Sequence, residues 1–180
     1  MISSLRLPAL LLLSLLCSCG AKTAPSTTAD SSAPRLAGGR ASVEQLVHAG
    51  LEALARRDTA ALRSLAVTRE EFERVILPTM GEKYPAARDT SVQARAFIAD
   101  NHFQSSDKAF RRALNDVGGT RLEFEDVEFK ETSPLSVYTL HEGTRVETHA
   151  ADGSDREVIV FGSVVEQQGI FKFLGFRDRD

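Results

Sequence analysis

Beyond residue 19 the chain has no cysteine: of its 180 residues, Cys17 and Cys19 are the two it carries. A disulfide or a thiolate-held metal is therefore excluded from everything downstream, and stability there has to come from packing. Clustered positive charge is missing as well. From Ala41 onward 18 lysines and arginines face 24 aspartates and glutamates, a net of −6, and the basic residues occur at most in pairs such as Arg56-Arg57 and Arg111-Arg112. With no basic stripe to neutralise phosphates, no nucleic-acid partner is expected. No apolar run reaches the roughly 20 residues needed to cross a bilayer as a helix. Nucleophile-elbow, phosphate-loop and dinucleotide patterns are absent, and so is zinc-type spacing of histidine and cysteine. No cofactor or metal is expected. The acidic stretch Glu123, Glu125, Asp126, Glu128, Glu131 lacks the loop glycine and alternate-ligand spacing of a calcium loop, and alternation assigns it to a solvated strand face.

What is present begins with a secretion signal. Arg6 precedes an apolar run over residues 7–16, broken by Pro8 and Ser14, which is too short to span a membrane but suits a signal-peptide core. The Leu16-Cys17-Ser18-Cys19 tetrapeptide that follows resembles the bacterial lipobox, with leucine three places before the cut, a small residue just before it and the lipid-accepting cysteine after it. Cys17 fits less well, because Leu16 would then stand where a small side chain is wanted. The resemblance implies a bacterial lipoprotein whose signal peptide, residues 1–18, is removed and whose Cys19 carries palmitate-type acyl chains into the membrane. The alternative is an ordinary secretory signal in which residues 18–21 serve a different peptidase. Gly20, where an aspartate would suggest retention in an inner membrane, favours an outer membrane with the domain facing the periplasm. Residues 19–40 then form the lipidated cysteine and a tether: Ser, Thr, Ala, Pro and Gly dominate, Leu36 is the one large apolar residue, and such a composition is expected to be disordered.

Residues 41–180 read as a single α+β domain. Ser42 with Gln45, Asp58, and Thr68 with Glu71 mark three helix starts; Val43, Leu46, Val47, Leu51 and Leu54 supply the apolar face of the first helix, and Pro78 is expected to end the third. Apolar positions from Val92 to Val117 at steps of three, four and seven give one long helix, with a kink expected around residues 104–107 and a stop at Gly118-Gly119. The period then changes to two. Residues 122–129 form a strand with a bulge at Glu125-Asp126, residues 136–148 a second strand bent near Gly143, residues 158–165 a third covered on both faces, and residues 170–176 the last. Asp152-Gly153-Ser154 and residues 167–169 turn the chain between them.

The segment Leu51-Glu-Ala-Leu-Ala-Arg-Arg-Asp58, with Leu62 and Leu65 behind it, and the closing strands at 158–165 and 170–177 resemble the nuclear-transport-factor-2-like superfamily, which includes SnoaL-like cyclases. The resemblance implies N-terminal helices packed on a curved antiparallel sheet that closes into a cone around a cavity. Enzymes of that kind use a carboxylate or histidine base in the cavity; other members only bind. Candidate cavity or ligand-contacting residues are His48, Tyr84, His102 and Tyr138. No catalytic residue is singled out. His141 and His149, eight residues apart along a strand, cannot share a metal and are expected at a solvated strand edge.

Three functional readings follow. A noncatalytic envelope module that binds a small apolar ligand or an envelope protein leads, a SnoaL-like lyase or isomerase comes second, and an assembly lipoprotein with a homodimer interface over residues 158–165 third. An ionisable group deep in a sealed pocket would favour the enzyme, an apolar pocket the binding module, and a filled core the assembly protein. The anchor itself is tested by the intact mass of membrane-extracted protein: the wild type is expected to start at Cys19 with acyl mass, and Cys19→Ala to lack it.

Overall fold

The computed structural model describes residues 34–177; residues 1–18, read above as a signal peptide, Cys19, residues 20–33 and residues 178–180 lie outside the described residues. The chain is α+β, with helices first and two antiparallel sheets after them. No described helix is long and apolar enough to cross a membrane.

The first three helices each start at a side-chain cap that satisfies amide groups the helix itself leaves open. Ser42 Oγ accepts from the Gln45 amide at the head of α1 (Val43–Arg56), and Asp58 accepts from Ala61 at the head of α2 (Thr59–Ser64). Thr68 and Glu71 form a reciprocal capping box on α3 (Arg69–Glu71). Between α1 and α2 the chain turns sharply, because Arg57 takes the left-handed conformation with φ 52° and its amide closes back on α1.

Pro78 does not end the third helix. The chain passes from α3 into a π-helical turn (Phe72–Ile76), in which the Leu77 amide bonds the Phe72 carbonyl, and on into α4 (Leu77–Met80). The widened turn frees the carbonyl that a proline ring would otherwise strike, and Pro78 falls in the first turn of α4, where its missing N–H costs nothing. After a 3₁₀ turn (Pro85–Arg88), α5 (Val92–Asp116) starts at the Ser91 cap and runs as one unbroken helix through residues 104–107. It ends before Gly118-Gly119, and the Gly119 amide bonds Leu54 O at the end of α1.

Seven strands follow: β1 (Leu122–Glu128), β2 (Glu131–Pro134), β3 (Thr139–Glu142), β4 (Arg145–Ala150), β5 (Asp155–Val158), β6 (Val164–Gln167) and β7 (Ile170–Phe173). One sheet has the order β1-β4-β5 and the other β2-β3-β6-β7. The expected bulge is present, as the β1–β4 register slips between Phe124 and Asp126. The strand expected over residues 136–148 is divided at Gly143, with β3 in one sheet and β4 in the other. Gly143 has φ 66°, and a Cβ there would stand 2.7 Å from the Lys130 side chain, so a side chain is excluded twice over. The strand expected over residues 158–165 is likewise divided, because residues 159–163 leave the ladder between β5 and β6. β2, and β5 apart from Val158, have no counterpart in the sequence reading. The breaks align across neighbouring passes: Lys130 N bonds Glu142 O, and Thr144 Oγ1 bonds Gly162 O at 2.7 Å.

The four-stranded sheet separates two cores. Val164 and Phe173 join Leu46, Val47, Leu54, Leu62, Phe110 and Phe161 on one side; Leu140 and Val165 join Phe72, Val75, Ile76 and Tyr138 on the other. Adjacent residues Val164 and Val165 are both fully buried, so β6 is covered on both faces there, as expected of the mostly apolar stretch 158–165. Phe161 and Phe173 stack at 4.4 Å, and Gly50 of α1 packs on that stack, where a Cβ would stand 2.8 Å from the Phe161 ring. Val158, Val160, Phe161, Val164 and Val165 are at most 2% exposed within the chain itself, which corrects the placement of a homodimer interface over residues 158–165: this strand is core.

Residues 34–40, assigned above to the tether, lie on the sheet. Gln167 holds Pro34 O and Leu36 N, Arg40 exchanges two backbone bonds with Phe171, and Leu36 is buried in the second core. At the centre of this strap is a buried ion pair. Lys172 Nζ, on a residue 2% exposed, reaches Glu71 Oε2 at 2.7 Å and Ala37 O at 2.9 Å, and the Glu71 carboxylate also accepts from the Ala37 and Thr68 amides.

Removing one partner of such a pair leaves an uncompensated buried charge, so Lys172→Ala is expected to lower the unfolding free energy in urea titrations by about 3–5 kcal/mol. Replacing both partners, Glu71→Leu with Lys172→Met, is expected to restore stability only in part, because the Ala37 and Thr68 amides still lose their acceptor. Burial pushes the Glu71 carboxyl up, but the hydrogen bonds from Lys172, Thr68 and Ala37 outweigh it and hold the group below the ordinary carboxylate value. A lowered folded-state value means the contribution is fully present above the unfolded value of about 4.3 and is lost as pH falls through the folded one. Wild-type stability should therefore fall more steeply in acid than that of Glu71→Gln.

Candidate functional site

The four candidate residues do not converge on one cavity. Tyr138 is 3% exposed in the second core, with its hydroxyl donating to Ile76 O at 3.4 Å. His102, half-buried on α5, stacks on Phe72 at 4.4 Å and meets Phe103 edge-on. Its Nε2 lies 3.0 Å from Leu174 O, and since a carbonyl only accepts, Nε2 carries the proton. Burial lowers the pKa of this imidazole, only partly opposed by the bond to Leu174, so it stays neutral and serves to join α5 to the strand after β7.

Tyr84 follows α4 and donates its hydroxyl to Glu142 of β3. Lys83 bonds the same carboxylate together with Glu131 at 2.6 Å and Ser133 at 2.7 Å, both on β2. This network latches residues 83–84 onto the β2–β3 hairpin, and Glu82 adds a bond from the Ser136 amide at its tip. The Lys83 ammonium is held firmly charged, above all by its bonds to Glu131 and Glu142.

His48 stands apart from the other three. It lies on the exposed side of α1 with its ring 4.7 Å from Phe124 of β1, and it borders a groove of about 600 Å³ between α1 and β1. Leu51, Ala55, Leu122 and Phe124 give this groove an apolar floor; Glu52, Arg56, Arg121 and Glu123 stand around it. Arg56 is paired with Glu52 at 3.5 Å. Arg121 forms no ion pair among the described residues, which leaves a guanidinium available beside an apolar surface. Sequence reasoning passed over Arg121 because it lies just outside the strand pattern; its pairing state becomes visible only once the strands are in register.

His141 departs from the solvated edge expected for it. Its side chain is 13% exposed and lies between Phe129 at 4.8 Å and Phe171 at 6.3 Å, with Nδ1 3.0 Å from Thr132 Oγ1. Its Nε2 is a buried atom with no hydrogen-bond partner, 3.4 Å from Glu166 Oε2. His149 sits in the other sheet beside Glu125 and Asp155, at 3.1 and 2.8 Å. The two histidines thus lie in different sheets, one on each side of the break at Gly143. Among the described residues no group of three or more histidines, cysteines or carboxylates is arranged to hold a metal ion. Compared with known proteins, the chain matches no family model, no curated protein and no solved structure.

Both tyrosines of the chain carry raised phenol values, in each case first through burial: Tyr84, aided by its bond to Glu142, is pushed up to about 12, and so is Tyr138. A folded-state value above the unfolded one of about 10 contributes stability that is intact below that pH and is lost as pH rises toward the folded value. Spectrophotometric titration is therefore expected to show no phenolate step near the ordinary pH, and then a rise that coincides with alkaline unfolding. A separate step in the still-folded protein would show that one hydroxyl is freely solvated.

Proposed function

We propose that the chain is a membrane-anchored, noncatalytic binding module of the bacterial envelope, lipidated at Cys19 and favouring an outer membrane. Its domain is read as a cone of the nuclear-transport-factor-2-like kind. Helices before strands, aligned breaks that carry successive chain passes from one sheet to the next, and the sharp Arg57-Asp58 corner support that assignment.

The observation that carries the binding reading is the groove between α1 and β1. An apolar floor with one unpaired guanidinium at its side suits a ligand with a flat apolar body and an anionic end. The SnoaL-like enzyme reading needs a base held in an enclosed apolar cavity. His102 and Tyr138 instead bond backbone carbonyls, Tyr84 bonds Glu142, and His48 lies exposed beside an open groove.

Anilinonaphthalene sulfonate, an aromatic anion whose fluorescence rises in apolar surroundings, tests the groove. The folded wild type is expected to bind it saturably, and Arg121→Glu and Phe124→Ala are each expected to weaken binding about tenfold, or about 1.4 kcal/mol. Equal binding by wild type and both variants would place the dye elsewhere and remove the support for this groove.

A further inference from the structure

Val92, Phe97 and Val137 are the large apolar residues left exposed among the described residues, at 79%, 67% and 42%. The fold brings them toward one end of the domain. Val137 is in the turn joining β2 to β3, where Pro134 pairs with Thr139. Thr139 also pairs with Glu166, which sets the β6–β7 turn at residues 168–169 alongside. α5 runs in the same direction as β7 and the segment after it, since His102 bonds Leu174 O, Ser106 Oγ bonds the Phe176 amide and Phe110 meets the Phe176 ring. The start of α5, with Val92 and Phe97, therefore lies toward the Ile170 end, beside the two turns. The chain also comes in here, because Gln167 holds Pro34 O.

We propose that this end is a membrane-contact surface, with Val92 and Phe97 of α5 and Val137 of the hairpin tip seated among the lipid headgroups of the bilayer that holds Cys19. The proposal rests on the lipid-anchor reading. Fifteen residue steps separate Cys19 from Pro34 and span at most about 50 Å, so a bilayer holding Cys19 is within reach of this end, where the described chain begins. Of the neighbouring acidic groups Asp100 is paired with Arg69, while Glu82 and Asp89 remain charged and accept from the Ser136 and Ser91 amides. Arg88, whose Nε bonds Gly81 O at 3.1 Å, and Arg95 flank Val92, form no ion pair among the described residues and can turn their remaining donors to lipid phosphates. A lipid surface fits three separate protruding side chains better than a second copy does, because a stable protein interface needs about 800 Å² of continuous surface on each partner.

The mature chain has no thiol besides the acylated one, so Phe97→Cys, Val137→Cys and Ala151→Cys can each carry one environment-sensitive fluorophore. Ala151, in the exposed turn between β4 and β5, reports on the far end of the chain pass that begins beside Val137. The full lipidated protein is placed in phosphatidylethanolamine–phosphatidylglycerol vesicles containing nitroxide-labelled lipid. Quenching at positions 97 and 137 is expected to exceed that at 151 by at least about threefold, since interfacial side chains sit roughly 5–10 Å into the headgroup boundary. Equal quenching at all three positions overturns the proposal. So does shielding at 97 and 137 without lipid quenching, which would mark a protein contact. Protein that floats with the vesicles but shows no difference overturns the docking alone; protein that does not float and lacks acyl mass overturns the anchor and the docking with it.

Discussion

The ion pair between Glu71 and Lys172 is where three distant parts of the chain are joined. The carboxylate closes the capping box that starts α3, and with its other oxygen it holds the Ala37 amide of the strap. The ammonium comes from the middle of β7 and also bonds Ala37 O. Two charges taken out of water are costly, and their attraction offsets that cost only when the remaining donors and acceptors are also filled. Here they are filled, by the backbone of residues 37 and 68. The pair therefore does more than hold two side chains together: it sets where the strap can lie and how far α3 stands from the sheet. An apolar pair of similar size would fill the same space without choosing that register.

The same arrangement protects the outer edge of β7. A strand at the end of a sheet presents unpaired amides and carbonyls that invite pairing with another chain. Here Arg40 exchanges two backbone bonds with Phe171, while Phe173 donates to Leu65 O and accepts from the Val67 amide. The strap and the segment after α2 thus cover the edge from both ends, and the ion pair lies between them at residue 172. At the other sheet, β5 is short and carries Asp155, Arg156 and Glu157 exposed, which is the charged-edge solution to the same problem.

Much of this was legible in the sequence, for reasons that are local. Ser42, Asp58 and Thr68 with Glu71 announced helix starts because capping needs only neighbouring residues. The bulge in β1 showed as a slip in an alternating pattern. What stayed hidden depended on residues far apart. β2 reads as Glu-Thr-Ser-Pro and has no strand character of its own; it exists because β3 pairs with it at a sheet edge, where Pro134 is tolerated. The division of residues 158–165 followed from alignment with the bend at Gly143, which no single-strand pattern contains. Residues 34–40 have a tether's composition and become ordered through Gln167, Glu71 and Lys172, more than thirty positions away. The site was less legible than the fold. Of the four candidates, His48 borders the groove, whereas Arg121 had to be found from its lack of a partner.

That difference has a physical basis. In the interior most polar side chains are satisfied, His141 Nε2 being the exception, so Lys172, Gln167, Thr144, Thr148, Tyr138 and His102 are each consumed by a specific carbonyl or carboxylate and have little left for a ligand. Capacity for recognition is left to groups at the surface that sit against rigid walls. The α1–β1 groove has such walls. α1 is packed on the Phe161–Phe173 stack through Gly50, and its end is tied to the start of β1 by the Gly119–Leu54 backbone bond and by the Arg57 guanidinium on Gly118 O at 3.0 Å. Arg121 follows two residues after Gly119. A guanidinium mounted on a fixed corner gives up less conformational freedom on meeting an anion than one on a loop, which is the advantage of preorganisation and the reason to look for a ligand at this corner rather than in the core.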